Sequence, residues 1–188
     1  MKSSGKMEVK DKIYGTLFGQ AIGDALGLGT EFMTKVEAQE KYPNGLKEYG
    51  QIIRDYHRAK FQLGRWSDDT DMMLCIANAM IEDKGIKLHT IAKNFKNWLY
   101  APDTRGVGQT TFKVLAIADY VEKPQQVAEL IWKMSPTKNA ANGAVMRTAV
   151  IGLLATMQEA TSASTLFLAQ RYINSVSICS TRHGLALR

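Results

Sequence analysis

The stretch GRWSDDTD, residues Gly64–Asp71, brings three carboxylates and two hydroxyls within five residues directly before an apolar helical run. Hard cations such as Mg²⁺ prefer oxygen ligands of this kind. A helix beginning here would place Asp68, Asp69 and Asp71 in its first turn, where the charges repel one another without a cation. Serine and acidic residues are also ordinary at helix N-termini. One acidic residue would be routine capping, so three with flanking hydroxyls favour a metal site.

Outward from this stretch, the hydrophobic pattern predicts an all-α protein. Apolar residues recur every three or four positions, which is the period of a helix. The sequence contains no alternation long enough to predict a strand, and no repeat or low-complexity segment. The predicted helices cover residues 10–28, 68–83, 88–100, 110–120, 124–134, 146–158 and 162–178.

The first predicted helix carries a stripe of glycines at spacing four: Gly15, Gly19, Gly23 and Gly27. Each glycine costs about 1 kcal/mol relative to alanine inside a helix, so four of them need a reason. We expect a central, tightly packed helix whose backbone a neighbour approaches closely. Asp24 lies on the same helix, where a carboxylate facing the core is costly unless it is paired or coordinated. A solvent-facing or arginine-paired Asp24 is the commoner outcome for such a residue.

Residues 41–63 form a polar stretch that begins with Pro43, Asn44 and Gly45. These residues predict an irregular surface loop. Long loops over a helical scaffold are frequent positions of substrate gates. His57 in this loop could contact a ligand, and a solvated surface histidine is the simpler interpretation.

Length and composition predict one domain with a substantial core, since the chain has 188 residues and is 45% hydrophobic. We expect a polar tail at residues 1–9 and a single, incomplete domain at 10–188. Residues 1–10 have no apolar stretch typical of a secretory signal, and no segment predicts a membrane span. The expected location is the cytoplasm. Neither cysteine lies in a motif, and Cys75 is expected to be a small buried side chain.

The net charge of +6 raises the possibility of a nucleic-acid partner. From Val121 onward there are seven Lys or Arg and three Glu, which gives +4, and the first 120 residues contribute 17 minus 15, or +2. The excess is spread thinly, with no basic run and no interleaved aromatic residues. We therefore expect no nucleic-acid partner.

Four segments in order resemble the ADP-ribosylglycohydrolase family, of the dinitrogenase reductase-activating glycohydrolase type. The first is GDALG at 23–27, followed by Glu31-Phe32, and the second is the Ser-Asp-Asp-Thr at 67–70. GVGQTT at 106–111 and NGAVMR at 142–147 complete the set. Each motif alone is weak, but four in the right order are fairly specific. The resemblance runs from about residue 10 to the C-terminus.

The resemblance implies hydrolysis of the bond between the C1″ atom of ADP-ribose and an acceptor, which is a protein side chain or a small molecule. It implies two Mg²⁺ ions, held in part by Ser67, Asp68 and Asp69. The catalytic residues it implies are Glu31, Asp68 and Asp69, with Glu31 acting at the active-site entrance. The substrate-binding residues it implies are Gly106, Gly108, Asn142, Gly143 and Arg147. Asn142-Gly143 also precedes an apolar run, and helix N-termini bind anions through backbone N–H groups.

The sequence departs from the family pattern downstream. The family has a second acidic cluster, Asp-x-Asp-Thr or similar, whereas this sequence has no Asp after Asp119. The resemblance therefore covers the N-terminal portion of the domain. Three hypotheses follow: a Mg²⁺-dependent hydrolase, a module that binds ADP-ribose or a related nucleotide without hydrolysing it, and a helical fragment that has lost the chemistry. The sequence does not predict the acceptor or the oligomeric state.

Overall fold

The computed structural model describes residues 9–134 and 142–157. The chain forms two compact units, residues 1–70 and residues 71–188, and the boundary falls after Thr70. The described residues are helical and contain no strand, which confirms the predicted all-α fold. The helices are α1 (Val9–Gly27), α2 (Lys35–Lys41), α3 (Asp68–Asp83), α4 (Leu88–Leu99), α5 (Gln109–Leu115), α6 (Pro124–Met134) and α7 (Ala149–Met157).

Most helix bounds agree with the sequence prediction, and α5 and α7 are shorter than predicted. Helix α5 ends at Leu115 and is followed by a separate 3₁₀ turn, Ala118–Tyr120. The Lys96 ammonium donates to the carbonyls of Leu115 and Ile117 at 2.7 Å each, so a side chain satisfies carbonyls at the end of α5. Helix α7 begins at Ala149, three residues after the predicted start. The helix predicted over 162–178 lies outside the described residues.

The sequence prediction missed helix α2. The Thr34 hydroxyl accepts from the Glu37 N–H at 3.2 Å, and the Glu37 carboxylate accepts from the Thr34 N–H at 2.7 Å. This reciprocal pair is a capping box, and Thr-x-x-Glu is its sequence signature. Helix α2 has no buried residue, so it lacks the apolar period on which the prediction relied.

The predicted tight packing along the glycine stripe of α1 is wrong for the described residues. Among them, no atom comes within 4 Å of a Cβ built on the four stripe glycines at positions 15, 19, 23 and 27. Tyr14, Phe18 and Ile22 on the same helix are exposed. Close packing begins only near the end of α1, where Ala25 and Leu28 are buried. The stripe therefore does not serve a close helix contact within the described part of the chain.

The core of the second unit is built from apolar faces of α3, α4 and α7. Met72, Met73 and Ile76 of α3 are fully buried, as are Ile91 of α4 and Ile151 of α7. Met72 and Met73 thus fill the core of this unit. None of the described helices is long and apolar enough to cross a membrane.

Candidate metal and substrate-binding residues

The carboxylate of Asp24 fixes the first turn of α3. It accepts from the backbone N–H of Ser67 and of Thr70 at 3.0 Å each, and from their two hydroxyls at 2.7 Å each. Ser67 is 6% exposed and Thr70 is 1% exposed, so these donors have little access to water. The expectation of a solvent-facing or arginine-paired Asp24 is wrong, because the buried donors at a helix N-terminus provide its partners.

This arrangement keeps the Ser67 oxygen usable as a ligand. The hydroxyl donates its proton to Asp24, and its oxygen lies 3.4 Å from the Asp69 N–H. A hydroxyl oxygen has two acceptor lone pairs. One faces the Asp69 N–H and the other can coordinate a cation.

Asp68 is the centre of an acidic cluster in the first unit. Its side chain is buried, at 9% exposure. Burial, followed by the negative charges of Asp69, Glu31 and Asp24 in that order, raises the pKa of Asp68 to about 7. The structure thus brings the predicted residues Glu31 and Asp69 within electrostatic reach of Asp68 and adds Asp24.

The chemistry of this cluster fits Mg²⁺ in part. All the donors are hard oxygens, and a buried carboxylate among like charges is stabilised by a cation. Within the described part of the chain, however, no three Asp, Glu, His or Cys side chains lie close enough to enclose a metal ion by themselves. Ser67, Asp68 and Asp69 by themselves could therefore provide only part of a coordination shell. Mg²⁺ commonly keeps several waters and few protein ligands, which suits a partial shell.

Glu31 lies between α1 and α2 and contacts His57, which the sequence analysis interpreted as a solvated surface residue. The His57 Nε2 lies 2.7 Å from the Glu31 Oε2. The His57 ring also packs edge-on against Phe32 and Phe61, with centroid distances of 5.1 Å and 5.8 Å. The interpretation of His57 as a solvated surface residue is wrong, because both the ring and its nitrogen have partners.

The backbone around Glu31 is held by Arg58, which is buried at 6% exposure. Its Nε donates to the Gly29 carbonyl at 3.0 Å, and its Nη2 donates to the Glu31 carbonyl. The same guanidinium forms an ion pair with Asp55. Tyr42 adds a second anchor, because its hydroxyl donates to the Gly29 carbonyl at 3.1 Å. The prediction of an irregular surface loop at 41–63 is wrong in part: Lys41 ends α2, two 3₁₀ turns lie at Tyr49–Gln51 and Arg58–Lys60, and the stretch is tied to the Glu31 segment.

In the second unit, two of the predicted glycines and Arg147 gather around the Thr111 hydroxyl. A Cβ on Gly143 would lie 3.5 Å from the Thr111 Oγ1 and 3.5 Å from the Arg147 Nη2. A Cβ on Gly108 would lie 3.9 Å from the same hydroxyl. The sequence interpretation quoted Thr111 only as part of a motif, and no local signal separates it from Thr110. We call Gly108, Thr111, Gly143 and Arg147 the glycine–arginine cluster.

Arg147 is held by contacts that leave hydrogen-bonding capacity unused. Its guanidinium lies 5.2 Å from the centroid of the Phe95 ring, and its Nη1 lies 2.8 Å from the Met72 sulfur. The Nε is buried and has no hydrogen-bond partner within the described residues. An arginine held by a ring and a thioether, both weak partners, retains donors for an anion.

The remaining predicted binding residues, Asn142 and Gly106, lie in turns. Asn142–Ala144 is a 3₁₀ turn, and the Asn142 carbonyl accepts from the N–H of Val145 at 2.7 Å. Asn142-Gly143 precedes an apolar helix, as expected, but α7 begins only at Ala149, so the N–H groups of these two residues are not at the N-terminus of that helix. Gly106 turns the chain with a φ of +75°, a left-handed value that favours glycine.

Asp71 and Cys75 are polar residues of α3 in the second unit. The Asp71 Oδ2 accepts from the Trp98 indole at 3.2 Å and thereby joins α3 to α4. Cys75 is a free thiol that is half-buried rather than buried as expected. Burial raises its pKa to about 12, with a smaller contribution from the charge of Asp71.

Comparison with known proteins identifies the family of this chain. The ADP-ribosylglycohydrolase family matches residues 5–175, and the chain belongs to this family. It is 33% identical over 153 residues to the protein YegU of Escherichia coli, covering 77% of this chain and 42% of YegU. It is 31% identical over 139 residues to the ADP-ribosyl-[dinitrogen reductase] glycohydrolase of Rhodospirillum rubrum, covering 74% of this chain and 43% of that protein.

The chain is also 31% identical over 91 residues to an ADP-ribosylarginine hydrolase of Serratia proteamaculans. This shorter match covers 48% of this chain and 22% of that protein. The chain thus spans less than half the length of the relatives it matches.

Proposed function

We propose that this protein is a Mg²⁺-dependent hydrolase of ADP-ribosyl bonds. The observation that supports it best is the acidic cluster around Asp68, a buried carboxylate with Asp69, Glu31 and Asp24 within electrostatic reach. Membership of the ADP-ribosylglycohydrolase family supports the reaction class. A bound Mg²⁺ ion, or a pair of them, would supply substrate orientation and activation of water.

Each side chain of the cluster has a proposed part in this reaction. Ser67, Asp68 and Asp69 hold the cation with their oxygens. Glu31 is the proton-accepting group, because its carboxylate is partly open to solvent at 40% side-chain exposure while its backbone is fixed. Asp24 does not bind substrate in this proposal, since its four hydrogen bonds hold the ligand-bearing turn in place.

The glycine–arginine cluster is proposed to bind the phosphates of ADP-ribose. The Arg147 guanidinium supplies positive charge, and the Thr111 hydroxyl supplies a donor beside it. Gly143 is buried beside both groups, and a Cβ there would lie 3.5 Å from each of them. Asn142 and Gly106 are proposed to contact the ligand from the turns that flank this cluster.

The proposed substrate is an ADP-ribosylated protein, with an ADP-ribose-containing small molecule as the alternative. Support comes from the relatives, one of which is named as acting on ADP-ribosylated dinitrogen reductase and another on ADP-ribosylarginine. An arginine linkage is therefore the first acceptor to test.

The test is release of free ADP-ribose from an arginine-ADP-ribosylated peptide, measured by chromatography with and without Mg²⁺. We expect release that requires Mg²⁺ and is lost in the Asp68→Asn/Asp69→Asn double variant. Asp119→Asn is the matched control, because Asp119 is an exposed carboxylate whose ion-pair partner within the described residues is Lys123, four residues on. Release that persists in the double variant, or no release by the unaltered chain, would contradict the proposal.

A binding module without hydrolysis is the second candidate, and two observations favour it. Among the described residues, no three Asp, Glu, His or Cys side chains form a group that could hold a metal ion, whereas the Arg147 Nε is buried and unpartnered. Calorimetry with ADP-ribose that shows binding lost in Gly143→Ala, without product after long incubation, would support this candidate over the enzyme.

A further inference from the structure

We infer that His57 is a positioning residue that holds the Glu31 carboxylate in one orientation. This inference rests on the proposed function, since it concerns how Glu31 acts. The hydrogen bond joins the His57 Nε2 to the Glu31 Oε2 and leaves the other carboxylate oxygen, Oε1, for the reaction. The two residues are 26 positions apart and come from separate segments of the first unit.

The His57 ring is itself fixed, so it can impose a direction on its partner. Phe61, which is buried, packs against one edge, and Phe32 packs against the ring in a T-shaped arrangement. Aromatic pairs at these distances prefer such edge-to-face geometries. A ring restrained by two aromatic neighbours and one hydrogen bond has few alternative orientations.

The backbones of His57 and Glu31 are tied to the same arginine. The Asp55 Oδ1 accepts from the N–H of His57 at 3.1 Å and from the N–H of Arg58 at 2.9 Å. Arg58 in turn donates to the Glu31 carbonyl. A closed circuit therefore runs through Asp55, Arg58, Glu31 and His57. Arg58 fixes the main chain of Glu31, and His57 fixes its side chain.

Glu31 needs such a restraint because its position is electrostatically unfavourable. Its charge acts on Asp68, so the two carboxylates repel each other. The Glu31 side chain is 40% exposed and would be free to swing into solvent. An ionised carboxylate can only accept hydrogen bonds, so the bond requires a proton on the His57 Nε2. The hydrogen bond removes rotamer freedom from the Glu31 side chain before substrate binds.

The backbone conformation of Phe32 supports this arrangement. Its φ is +60°, a left-handed value that is uncommon for a bulky side chain, and the residue is 85% exposed. Strained backbone of this kind persists where the surrounding contacts demand it and clusters at functional sites. Here the turn places the Phe32 ring against His57. Glu31 directly precedes Phe32 in the sequence, so the same turn carries it.

The first experiment needs no activity. Nitrogen NMR of the histidine side chains should show a proton on the His57 Nε2, and Glu31→Ala should change that signal while leaving His89, an exposed histidine, unaffected. An unprotonated Nε2, or a His57 signal unmoved by Glu31→Ala, would overturn the inference.

The second experiment separates positioning from packing. His57→Phe keeps a ring between Phe32 and Phe61 but removes the donor, whereas His57→Gln keeps an amide donor. We expect His57→Phe to lower kcat at least about tenfold with KM changed much less, and His57→Gln to retain most of the rate. Equal rates for the two variants, in folded protein, would overturn the inference.

The two proposals fail in different ways. If Glu31→Gln loses activity while His57→Phe retains it, the positioning role is wrong and the proposed function stands. If Glu31→Gln and the Asp68→Asn/Asp69→Asn variant both retain activity, the proposed function is wrong, and the NMR experiment still decides whether the His57–Glu31 bond exists.

Discussion

The acidic cluster of the first unit and the glycine–arginine cluster of the second are built in opposite ways. In the first, hydrogen bonds fix each functional segment: Asp24 accepts four at the start of α3, and Arg58 donates to the carbonyls of Gly29 and of Glu31. In the second, Arg147 rests on Phe95 and Met72 and keeps a buried Nε without a partner. The residues of the acidic cluster are held by many hydrogen bonds, whereas the glycine–arginine cluster retains an unused hydrogen-bond donor.

This difference indicates a division of tasks. A cation site requires its oxygens to be held in position before the metal arrives, because the carboxylates repel one another. An anion site gains most when its donors are unsatisfied in the free protein, because the ligand then supplies the missing hydrogen bonds. The account predicts that variants in the first unit mainly change stability and metal binding, and that variants in the second mainly change ligand affinity.

The largest expected effect is a loss of stability in the Asp24→Ala variant. It removes the acceptor for four donors, on Ser67 and Thr70, that have little access to water. We expect the free energy of unfolding, measured with urea, to fall by about 3 kcal/mol. Asp11→Ala on the same helix is the control, because Asp11 is exposed and should change stability little. Equal effects for the two variants would show that Asp24 does not hold the start of α3.

Arg147→Met should give the next largest effect, on ligand affinity instead of stability. Methionine preserves apolar contact with Phe95 and Met72 but removes the charge and the donors. We expect the dissociation constant of ADP-ribose, measured by calorimetry, to rise about tenfold or more, which corresponds to about 1.4 kcal/mol. Lys113→Met, at an exposed position of α5, is the matched control. Unchanged affinity in Arg147→Met would remove the anion role from the glycine–arginine cluster.

Mg²⁺ affinity should depend on pH through Asp68. Its pKa of about 7 means that about nine in ten Asp68 carboxyls are protonated at pH 6 and about one in ten at pH 8. A metal must displace this proton, so the apparent Mg²⁺ affinity should rise about tenfold from pH 6 to pH 8. Asp68→Asn should abolish the pH dependence, and an equal affinity at both pH values in the unaltered chain would contradict the assignment.

The same pKa gives a stability prediction with a defined sign. The folded-state pKa of Asp68 lies above the ordinary value of 3.8, so the folded state binds more protons between about pH 4 and pH 7. Its contribution therefore makes the metal-free protein less stable as pH rises through this window. Thermal unfolding with and without Mg²⁺ measures this, and Mg²⁺ should offset the loss near pH 8.

The smallest effect concerns Cys75, which serves as a probe of the second unit. With a pKa of about 12, its thiol is almost wholly protonated at pH 8. Iodoacetamide should therefore react slowly with the folded Cys179→Ser protein and rapidly once urea unfolds it. Rapid alkylation of the folded protein, followed by mass spectrometry, would show that the environment of Cys75 is more open than described.

Local sequence patterns predicted most of the helices. They could not predict which residues far apart in the sequence contact each other. The bounds of α3 and α6 follow from apolar period and capping signals that lie within the segments themselves. Helix α2 carried such a signal in Thr34 and Glu37, but its lack of buried residues concealed it. The Asp24 bonds to Ser67 and Thr70 join residues 43 and 46 positions apart, and no single-sequence pattern specifies such a contact.

In the candidate site, too, some residues could be predicted from the sequence and others depend on the tertiary structure. Family resemblance indicated Ser67, Asp68, Asp69 and Glu31, and the structure brings them within electrostatic reach. It did not indicate His57 or Arg58, because a histidine and an arginine in a polar stretch are usually solvated. Their roles depend on where residues 55–61 fold back onto the Glu31 segment, which is a property of the tertiary structure.

The most direct test of the account is a calorimetric titration of Mg²⁺ into the purified chain and into the Asp68→Asn/Asp69→Asn variant, each with and without ADP-ribose. The account predicts Mg²⁺ binding by the unaltered chain that the double variant loses while remaining folded. Equal Mg²⁺ binding by both proteins, or none by the well-folded unaltered chain, would contradict the central claim that Ser67, Asp68 and Asp69 form one side of a metal site.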